Sequence, residues 1–258
     1  MSMLVPAVER ASRLLDLLAA SRRALPLAAL ARDAGLPKSS AHGLLGTLAA
    51  LGLAERTPEG EFALGPKALQ WAGAYLHRTD LVTAFNDIAG SVPALSDETA
   101  MLAVLDGADV VYLACRPGAR PVAVNFRVGG RLPATVTSSG KAMLSTLPEP
   151  QVRAIVARAG LQRMTPRSVA SIEALLAQLR EARGRGWALD DEETAAGMNC
   201  FGAPVFAAQG GGAVAAVAVS LIKAAATGRR REDTVAAIRK LAAQLSRRLG
   251  ATDAAART

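Results

Sequence analysis

The chain has 258 residues, is 51% hydrophobic, and carries a formal net charge of +8 with only 2 cysteines. Its length allows two domains, and its cysteine content excludes a disulfide-stapled secreted scaffold. Only 3% of the residues are aromatic, which argues against a stacking surface for single-stranded nucleic acid. The basic excess permits a polyanionic partner, but it is spread along the chain and does not locate one.

The opening segment lacks the basic and apolar regions of a secretory signal. No uncharged apolar run reaches the ~18 residues that a membrane helix needs. We therefore expect a cytoplasmic protein with no membrane contact.

The first 65 residues contain three helical patterns followed by a hairpin pattern. Apolar spacing, together with Pro or Gly at the ends of segments, predicts the boundaries. We expect helices over residues 6–20, 26–35 and 37–51, and strands over residues 53–56 and 62–64. This order predicts a winged helix-turn-helix domain over residues 1–65. In the first helix, the buried stripe should hold Val8, Ala11, Leu14, Leu15 and Leu18.

The third helix has small polar residues on the side opposite its leucines. Leu44, Leu45, Leu48 and Leu51 should pack inward. In a helix-turn-helix, the start of this helix contacts bases and phosphates in the major groove. We therefore predict DNA contacts from the outward residues and from the end of the first wing strand: Lys38, Ser39, Ser40, His42, Gly43 and Arg56. An ordinary packing module, or one that binds protein, is the alternative.

A linker helix over residues 66–79 precedes a second domain over residues 80–258. The apolar residues of the linker, Trp71, Tyr75 and Leu76, predict dimerisation. The second domain mixes strand and helix patterns, typical of an α+β fold. We expect a hairpin around Asp106–Gly107, strands over residues 121–126, 200–208 and 213–222, and helices over residues 80–95, 139–147, 150–159, 171–184 and 231–249.

The segment TSSGKAML places Ser138, Ser139 and Gly140 where a helix begins. Free amides at such an end favour an anion, and simple capping by the serines is the alternative. A phosphate-binding loop of the G-x-x-x-x-G-K-[ST] type is excluded, because the chain has Thr135 and Ala142 at two required positions. Lys141 is expected on the helix flank, either structural or solvated.

The acidic run LDDEETAAGMNC predicts a solvated loop rather than a catalytic or metal site. Carboxylates adjacent in sequence do not face one another, and the only histidines, His42 and His77, lie in the N-terminal third. A Cys–His or Ser–His pair within the second domain is therefore impossible. We expect no metal and no cofactor. A hydrolase-like enzyme that uses Cys200 or Ser139 is the alternative function class.

Several segments, in order along nearly the whole chain, resemble the IclR-type bacterial transcriptional regulators. They include AVERASRLLDLLA, LPLAALARDAGLPKSSAHGLLGTLAALGLAER, RVGGRLPATVTSSGKAMLSTLP and RGWALDDEETAAGMNCFGAPVF. The resemblance implies an α+β protein with an N-terminal winged helix-turn-helix, a dimerising linker helix and a C-terminal GAF-like effector-binding domain. Many members carry Arg where this chain has Gly43, so their operator sequences do not transfer.

The same resemblance aligns five residues with the family's effector pocket: Ser138, Ser139, Asp190, Cys200 and Ser220. With Gly140 they form the expected effector site, and Ala218 replaces a further serine of the family. The resemblance implies a regulator, expected to serve a catabolic operon, that binds a palindromic double-stranded operator as a homodimer or homotetramer. A small carboxylic acid is the expected effector, because amides and hydroxyls suit an oxyanion.

Overall fold

The computed structural model describes residues 5–77, 80–119, 126–208 and 211–251. The chain divides into two compact units, residues 1–79 and residues 80–258. Of the strand expected at 121–126, all but Phe126 lies outside the described residues.

The first unit contains four helices and a two-stranded antiparallel hairpin among its described residues. The elements are α1 (Pro6–Ala20), α2 (Leu27–Asp33), α3 (Lys38–Ala50), β1 (Ala54–Arg56), β2 (Phe62–Leu64) and α4 (Lys67–His77). The expected helices and hairpin are confirmed. Gly35 separates α2 from α3 with a φ of +66°, a left-handed conformation that favours glycine.

The core of this unit lies between α1, α2, α3 and the hairpin. Its large buried side chains include Leu14, Leu18, Leu30, Leu45, Leu48 and Phe62. Two expected core residues are instead exposed, Val8 at 66% and Leu51 at 51%. Val8 precedes the point on α1 where contact with the core begins, at Ala11. Leu51 is the C-cap residue of α3, beyond the regular part of the helix.

The second unit is built around a six-stranded antiparallel sheet. Its elements are α5 (Asp80–Gly90), a 3-10 turn (Pro93–Leu95), β3 (Thr99–Asp106), β4 (Asp109–Arg116), β5 (Arg131–Pro133), α6 (Ser138–Leu144), α7 (Glu149–Ala159), α8 (Ile172–Arg185), β6 (Ala188–Asp191), β7 (Met198–Val205), β8 (Ala215–Ile222) and α9 (Gly228–Arg248). The strand order is β5-β4-β3-β8-β7-β6.

Helices cover both faces of this sheet. α6 packs against α8 and β7, whereas α5 packs against α9 and α9 contacts β7 and β8. Consecutive residues of β8 are therefore buried on both sides, from Ala215 to Leu221. The expected α+β class is confirmed. The start of the acidic run is not a solvated loop but the edge strand β6, in which Asp190 pairs with Cys200.

No helix in the described ranges is long and apolar enough to cross a membrane.

Candidate functional site

The outward face of α3 exposes polar groups. Lys38, Ser39, His42 and Gly43 are exposed, and Ser40 is half-buried. Within the described part of the chain, the side chains of Lys38, Ser39 and His42 make no hydrogen bond or ion pair. A Cβ built on Gly43 would meet no atom within 4 Å. This face is therefore open to a partner.

The first turn of α3 also offers backbone donors. Its N-cap residue, Pro37, supplies no side-chain cap. The first intrahelical bond runs from the Ala41 N–H to the Pro37 carbonyl at 3.0 Å. The amides of Lys38, Ser39 and Ser40 come before it and have no partner within the helix. Such amides beside a lysine suit a phosphate group.

Arg56 lies at the base of the wing turn. Its guanidinium carbon is 5.9 Å from the centre of the Phe62 ring. The Thr57 N–H donates to the Glu61 carbonyl at 2.8 Å, and Gly60 turns the chain with a φ of +86°. Arg56 is thus an exposed cation on a short, closed hairpin, and such a group fits a phosphate contact.

In the second unit, three of the expected effector residues form one line across adjacent strands. Asp190 lies opposite Cys200, and Cys200 lies opposite Ser220. All three are buried, and the Cys200 Sγ is 3.1 Å from the Ser220 Oγ. Directly opposed residues project from the same face of a sheet, so the pairing itself brings these side chains together.

α6 carries Ser138 and Ser139 onto this line. A Cβ built on Gly202 of β7 would lie 2.4 Å from the Ser138 carbonyl oxygen, so only glycine permits the approach. Glycine within a strand often marks such a close contact. Both serines are at most 2% exposed. The start of α6 therefore sits directly against the sheet, next to Cys200.

Thr137 caps α6. The Gly140 N–H donates to the Thr137 Oγ1 at 3.2 Å, so the alternative that the serines cap this helix is wrong. A Cβ on Gly140 would lie 2.3 Å from the Ala134 carbonyl oxygen. Gly140 is thus tightly packed, its amide is occupied, and it does not line the cavity beside α6.

That cavity has a volume of about 10 Å³, room for roughly one water. Five expected site residues line it, namely Ser138, Ser139, Asp190, Cys200 and Ser220, together with Met101, Tyr112, Phe126, Thr137, Thr194 and Ala218. Sequence reasoning missed Met101, Tyr112, Phe126, Thr137 and Thr194. Strand register supplies the signal for one of them, because Met101 lies opposite Ala218.

Asp190 shapes the loop that follows β6. Its Oδ1 accepts hydrogen bonds from the Glu193 N–H at 2.7 Å and the Thr194 N–H at 3.1 Å. Burial raises the pKa of Asp190, against the opposing effects of hydrogen bonds from Thr194 and the positive charge of Lys141. Its carboxyl group therefore takes up a proton more readily than a free aspartate does.

Cys200 and Tyr112 are held neutral. Burial, reinforced by the nearby Asp190, raises the pKa of the Cys200 thiol well above its usual range. Burial likewise raises the pKa of Tyr112, which hydrogen-bonds with Ser139. A nucleophilic cysteine requires the opposite shift, toward the thiolate. The cavity wall is therefore a set of neutral donors and acceptors rather than a reactive centre.

Of the two roles expected for Lys141, structural or solvated, the structural one is confirmed, since the side chain is 1% exposed. Its Nζ donates to the Gln178 Oε1 at 2.9 Å and the Leu189 carbonyl at 2.8 Å, and it forms an ion pair with Glu193. Among the described residues, the Glu193 Oε2 has no hydrogen-bond partner. The contacts of Lys141 therefore hold α6 against the loop that follows β6.

No group of histidine, cysteine and acidic side chains in the described ranges is arranged to hold a metal ion.

Two family models match the chain. The IclR helix-turn-helix domain matches residues 7–58, and the C-terminal domain of bacterial transcriptional regulators of the IclR type matches residues 73–247.

This chain belongs to the IclR family.

Named relatives agree with this assignment. The transcriptional repressor IclR of Escherichia coli is 33% identical over 208 residues, which cover 78% of this chain and 75% of the relative. The crystal structure of the Agobacterium tumefaciens repressor BlcR is 40% identical, with a TM-score of 0.64, covering 98% of this chain and all of that one. An IclR homologue from Microbacterium hydrocarbonoxydans, crystallised with 4-hydroxybenzoate, is 27% identical with a TM-score of 0.81, covering 95% of this chain and all of that one.

Members of the IclR family are DNA-binding transcription factors, and this chain is one of them rather than an enzyme. The hydrolase alternative is therefore wrong. The cavity gives the physical reason, because Cys200 is held as a thiol and Ser139 has no histidine in its unit.

Proposed function

We propose that this regulator binds a palindromic operator as a homo-oligomer, and that a small carboxylic acid in the cavity beside α6 changes its affinity for that operator. The single observation that supports the effector most directly is the line Asp190–Cys200–Ser220, buried beside Ser138 and Ser139 around one small cavity. Buried polar groups normally bond one another, and a group of them facing a cavity is typical of a ligand site.

The DNA part rests on α3 and the wing. Lys38, Ser39 and His42 are exposed near the start of α3 and have no partner among the described residues, and residues in this place face the major groove in helix-turn-helix proteins. Ser40 and Gly43 lie beside them, and Arg56 would contact the backbone. Because transcription factors work on the chromosome, we place the protein in the cytoplasm.

The oligomer rests on exposed apolar surface of the first unit. Val5, the N-cap residue of α1, and Val8 on α1 are 62% and 66% exposed, and Leu69 and Trp71 on α4 are 77% and 53% exposed. The side chains of Tyr75 and Leu76 lie outside those described. Two-fold pairing through such surfaces would present two recognition helices, and a palindromic operator matches that symmetry.

Sedimentation of the full chain tests the oligomer. The double variant V8E/L69E places charges on both exposed apolar surfaces and should shift the protein toward monomer. Gln70→Glu, which adds a charge to an exposed polar position of α4, is the control and should sediment like the wild type. Unchanged association of V8E/L69E would remove this surface from the interface.

The ligand chemistry follows from the groups on the cavity wall. Hydroxyls of Ser138, Ser139 and Ser220 can donate to a carboxylate, and a protonated Asp190 can do the same. About 10 Å³ is room for roughly one water and lies far below the ~300–1,000 Å³ usual for ligand pockets. Any organic acid therefore requires the cavity wall to move outward, by less for a short aliphatic acid than for an aromatic acid such as 4-hydroxybenzoate.

A gel shift with the DNA upstream of its own gene tests the proposal. It should be repeated with a panel of short hydroxy acids, short keto acids and 4-hydroxybenzoate. An effector must bind two states of the protein unequally, so at least one acid should change operator affinity. No response to any acid would contradict the effector part, whereas no duplex binding would contradict the DNA part.

Two variants of Asp190 separate its roles once a responsive acid is found. Asp190→Asn keeps the Oδ1 acceptor for the loop, whereas Asp190→Ala removes it. Both should retain ligand-free operator binding within about twofold. If both variants lose the response of operator binding to the acid, Asp190 contacts the ligand directly. If only Asp190→Ala loses it, Asp190 acts by holding the loop after β6. Normal acid binding by both variants, measured by calorimetry, would remove Asp190 from the site.

A further inference from the structure

A second cleft lies in the second unit, at the other end of α6 from the effector cavity. It has a volume of about 220 Å³ and is open to solvent. Four segments form it: the turn after α6, the last turn of α8, the end of β7 and the middle of α9. The residues that line it include Arg183, Gly184, Arg185, Gly186, Phe206 and Arg239.

Two of its three arginines are held in place by the protein. Arg183 donates from Nε to the Ser145 carbonyl at 2.6 Å and from Nη2 to the Leu147 carbonyl at 2.7 Å. Arg185 donates to the Trp187 carbonyl at 2.8 Å, and its guanidinium carbon lies 3.7 Å from the centre of the Trp187 ring. Guanidinium groups fixed in this way lose little conformational entropy when they bind an anion.

The third arginine, Arg239 of α9, is exposed and has no hydrogen bond or ion pair within the described residues. It faces the end of α8, since a Cβ built on Gly186 would lie 3.7 Å from the Arg239 Nε. All five donors of its guanidinium are available. Arg239 thus adds a third positive charge to a wall that already holds two.

The helix dipole explains the positions of only two of the three arginines. Basic residues in the last turn of a helix offset the helix dipole, which accounts for Arg183 and Arg185 on α8. Arg239 comes from another helix and is not explained in this way. Glu181 pairs with Arg185 at 3.1 Å, but none of the described residues that line the cleft is acidic. Burial and the nearby Arg231 lower the pKa of Arg185, and Glu181 opposes this only in part.

The floor of the cleft is kept open by two glycines. Gly186 ends α8 with a φ of +77°. Gly184 lies inside α8, where glycine costs about 1 kcal/mol relative to alanine, and a Cβ there would meet no atom within 4 Å. Phe206 and Pro204 supply an apolar wall on the opposite side. The space therefore combines three cations with one apolar surface.

We propose that this cleft binds a small anion with two or more negative charges, of the phosphate-ester or polycarboxylate class, separately from the effector cavity. Arg183 and Arg185 form a fixed cationic wall, and Arg239 closes on the anion from α9. α6 has seven residues, so about 10 Å of helix separates this site from the effector cavity.

Calorimetry on the full chain tests the proposal, with pyrophosphate and citrate as probes at constant ionic strength. Arg239→Ala should weaken binding about tenfold, the effect of losing one charge-assisted contact. Arg158→Ala is the matched control, because Arg158 is an equally exposed, unpaired arginine on α7. It should change the dissociation constant less than twofold. The preferred probe shows whether the site suits phosphate or carboxylate groups.

A second pair of variants tests the cleft without removing an arginine. Gly184→Asp places a carboxylate among the three guanidinium groups and should abolish anion binding, whereas Gly184→Ala should keep it. Equal weakening by Arg239→Ala and Arg158→Ala would overturn the proposal, because it would show diffuse charge rather than a site. Absence of binding to both probes, or an effect of Arg239→Ala on duplex DNA alone, would overturn it as well.

Discussion

Two segments of this chain start helices with nearly the same residues. α3 begins with Lys38, Ser39 and Ser40, and α6 begins with Ser138, Ser139, Gly140 and Lys141. The first lysine is exposed and makes no hydrogen bond or ion pair with the described residues, whereas the second is 1% exposed and ion-paired with Glu193. The difference shows that the residue types do not decide their role. Lys141 has its partner 52 residues further along the chain, whereas Lys38 has none among the residues that the structure describes and is left for a partner outside the chain.

The largest effect we expect comes from replacing the two lysines. Lys141→Met should lower the free energy of unfolding by about 3–5 kcal/mol, because it leaves the buried Glu193 carboxylate without its cation. Lys38→Met should change it by less than about 0.5 kcal/mol, as is usual for exposed positions. Urea denaturation of the full chain measures both. The double variant K141M/E193Q should recover part of the loss, and no recovery would mean that the ion pair is not the cause.

The glycines of the two segments provide the next test. Gly140→Ala should destabilise by about 1–3 kcal/mol, because its Cβ would overlap the Ala134 backbone. Gly43→Ala meets open space and should stabilise α3 by up to about 1 kcal/mol. Thermal unfolding compares the two variants. If Gly43→Ala also weakens operator binding, the missing side chain at Gly43 allows close approach of DNA. If operator binding is unchanged, position 43 accepts a side chain and has no role in DNA binding.

The boundaries of the first unit were predictable because local signals set them. Pro26, Gly35 and Gly52 end or begin segments for reasons internal to the backbone. Val8 could not be placed in the same way, because helical periodicity gives the face of a residue but not where the core ends. The burial of Lys141 depends on Glu193, and no local pattern contains that contact.

The cavity beside α6, our proposed effector site, shows the same limit. Resemblance to the family identified Asp190, Cys200 and Ser220, and the structure brings these residues together. The strand β6 was missed because its sequence, ALDD, is half acidic, and charged residues are depleted in isolated strand patterns. Pairing with β7 overrides that preference. Met101 and Tyr112 join the cavity through the sheet register, which depends on contacts distant in sequence.

Measurements of operator binding test the DNA contacts predicted for α3 and for the hairpin. His42→Ala should weaken specific binding by about 1–3 kcal/mol if His42 contacts a base. Arg56→Ala should weaken binding to all sequences alike and reduce the salt slope by about one. Gel shifts over a range of salt with specific and scrambled duplexes measure both. An Arg56→Ala effect restricted to one sequence would contradict a phosphate contact.

The smallest effect concerns pH and Asp190. Burial raises the pKa of Asp190 in the folded state above its unfolded value of about 3.9. The folded state therefore holds this proton more tightly, and the stabilisation from protonation is lost as pH rises through the folded pKa. Asp190→Asn does not titrate and keeps the Oδ1 acceptor. Its stability relative to wild type should increase as pH rises from about 4 toward neutral. A difference independent of pH would contradict the raised pKa.

The line Asp190–Cys200–Ser220 runs across the strands, so its spacing is set by the backbone. Neighbouring strands lie about 4.8 Å apart, and ladder hydrogen bonds hold that interval whatever side chains they carry. Each position can therefore change its side chain without moving the Cα atoms of the other two. A mutation that alters one side chain of the cavity leaves the others in register, so single substitutions are enough to change the ligand preference of the proposed effector site.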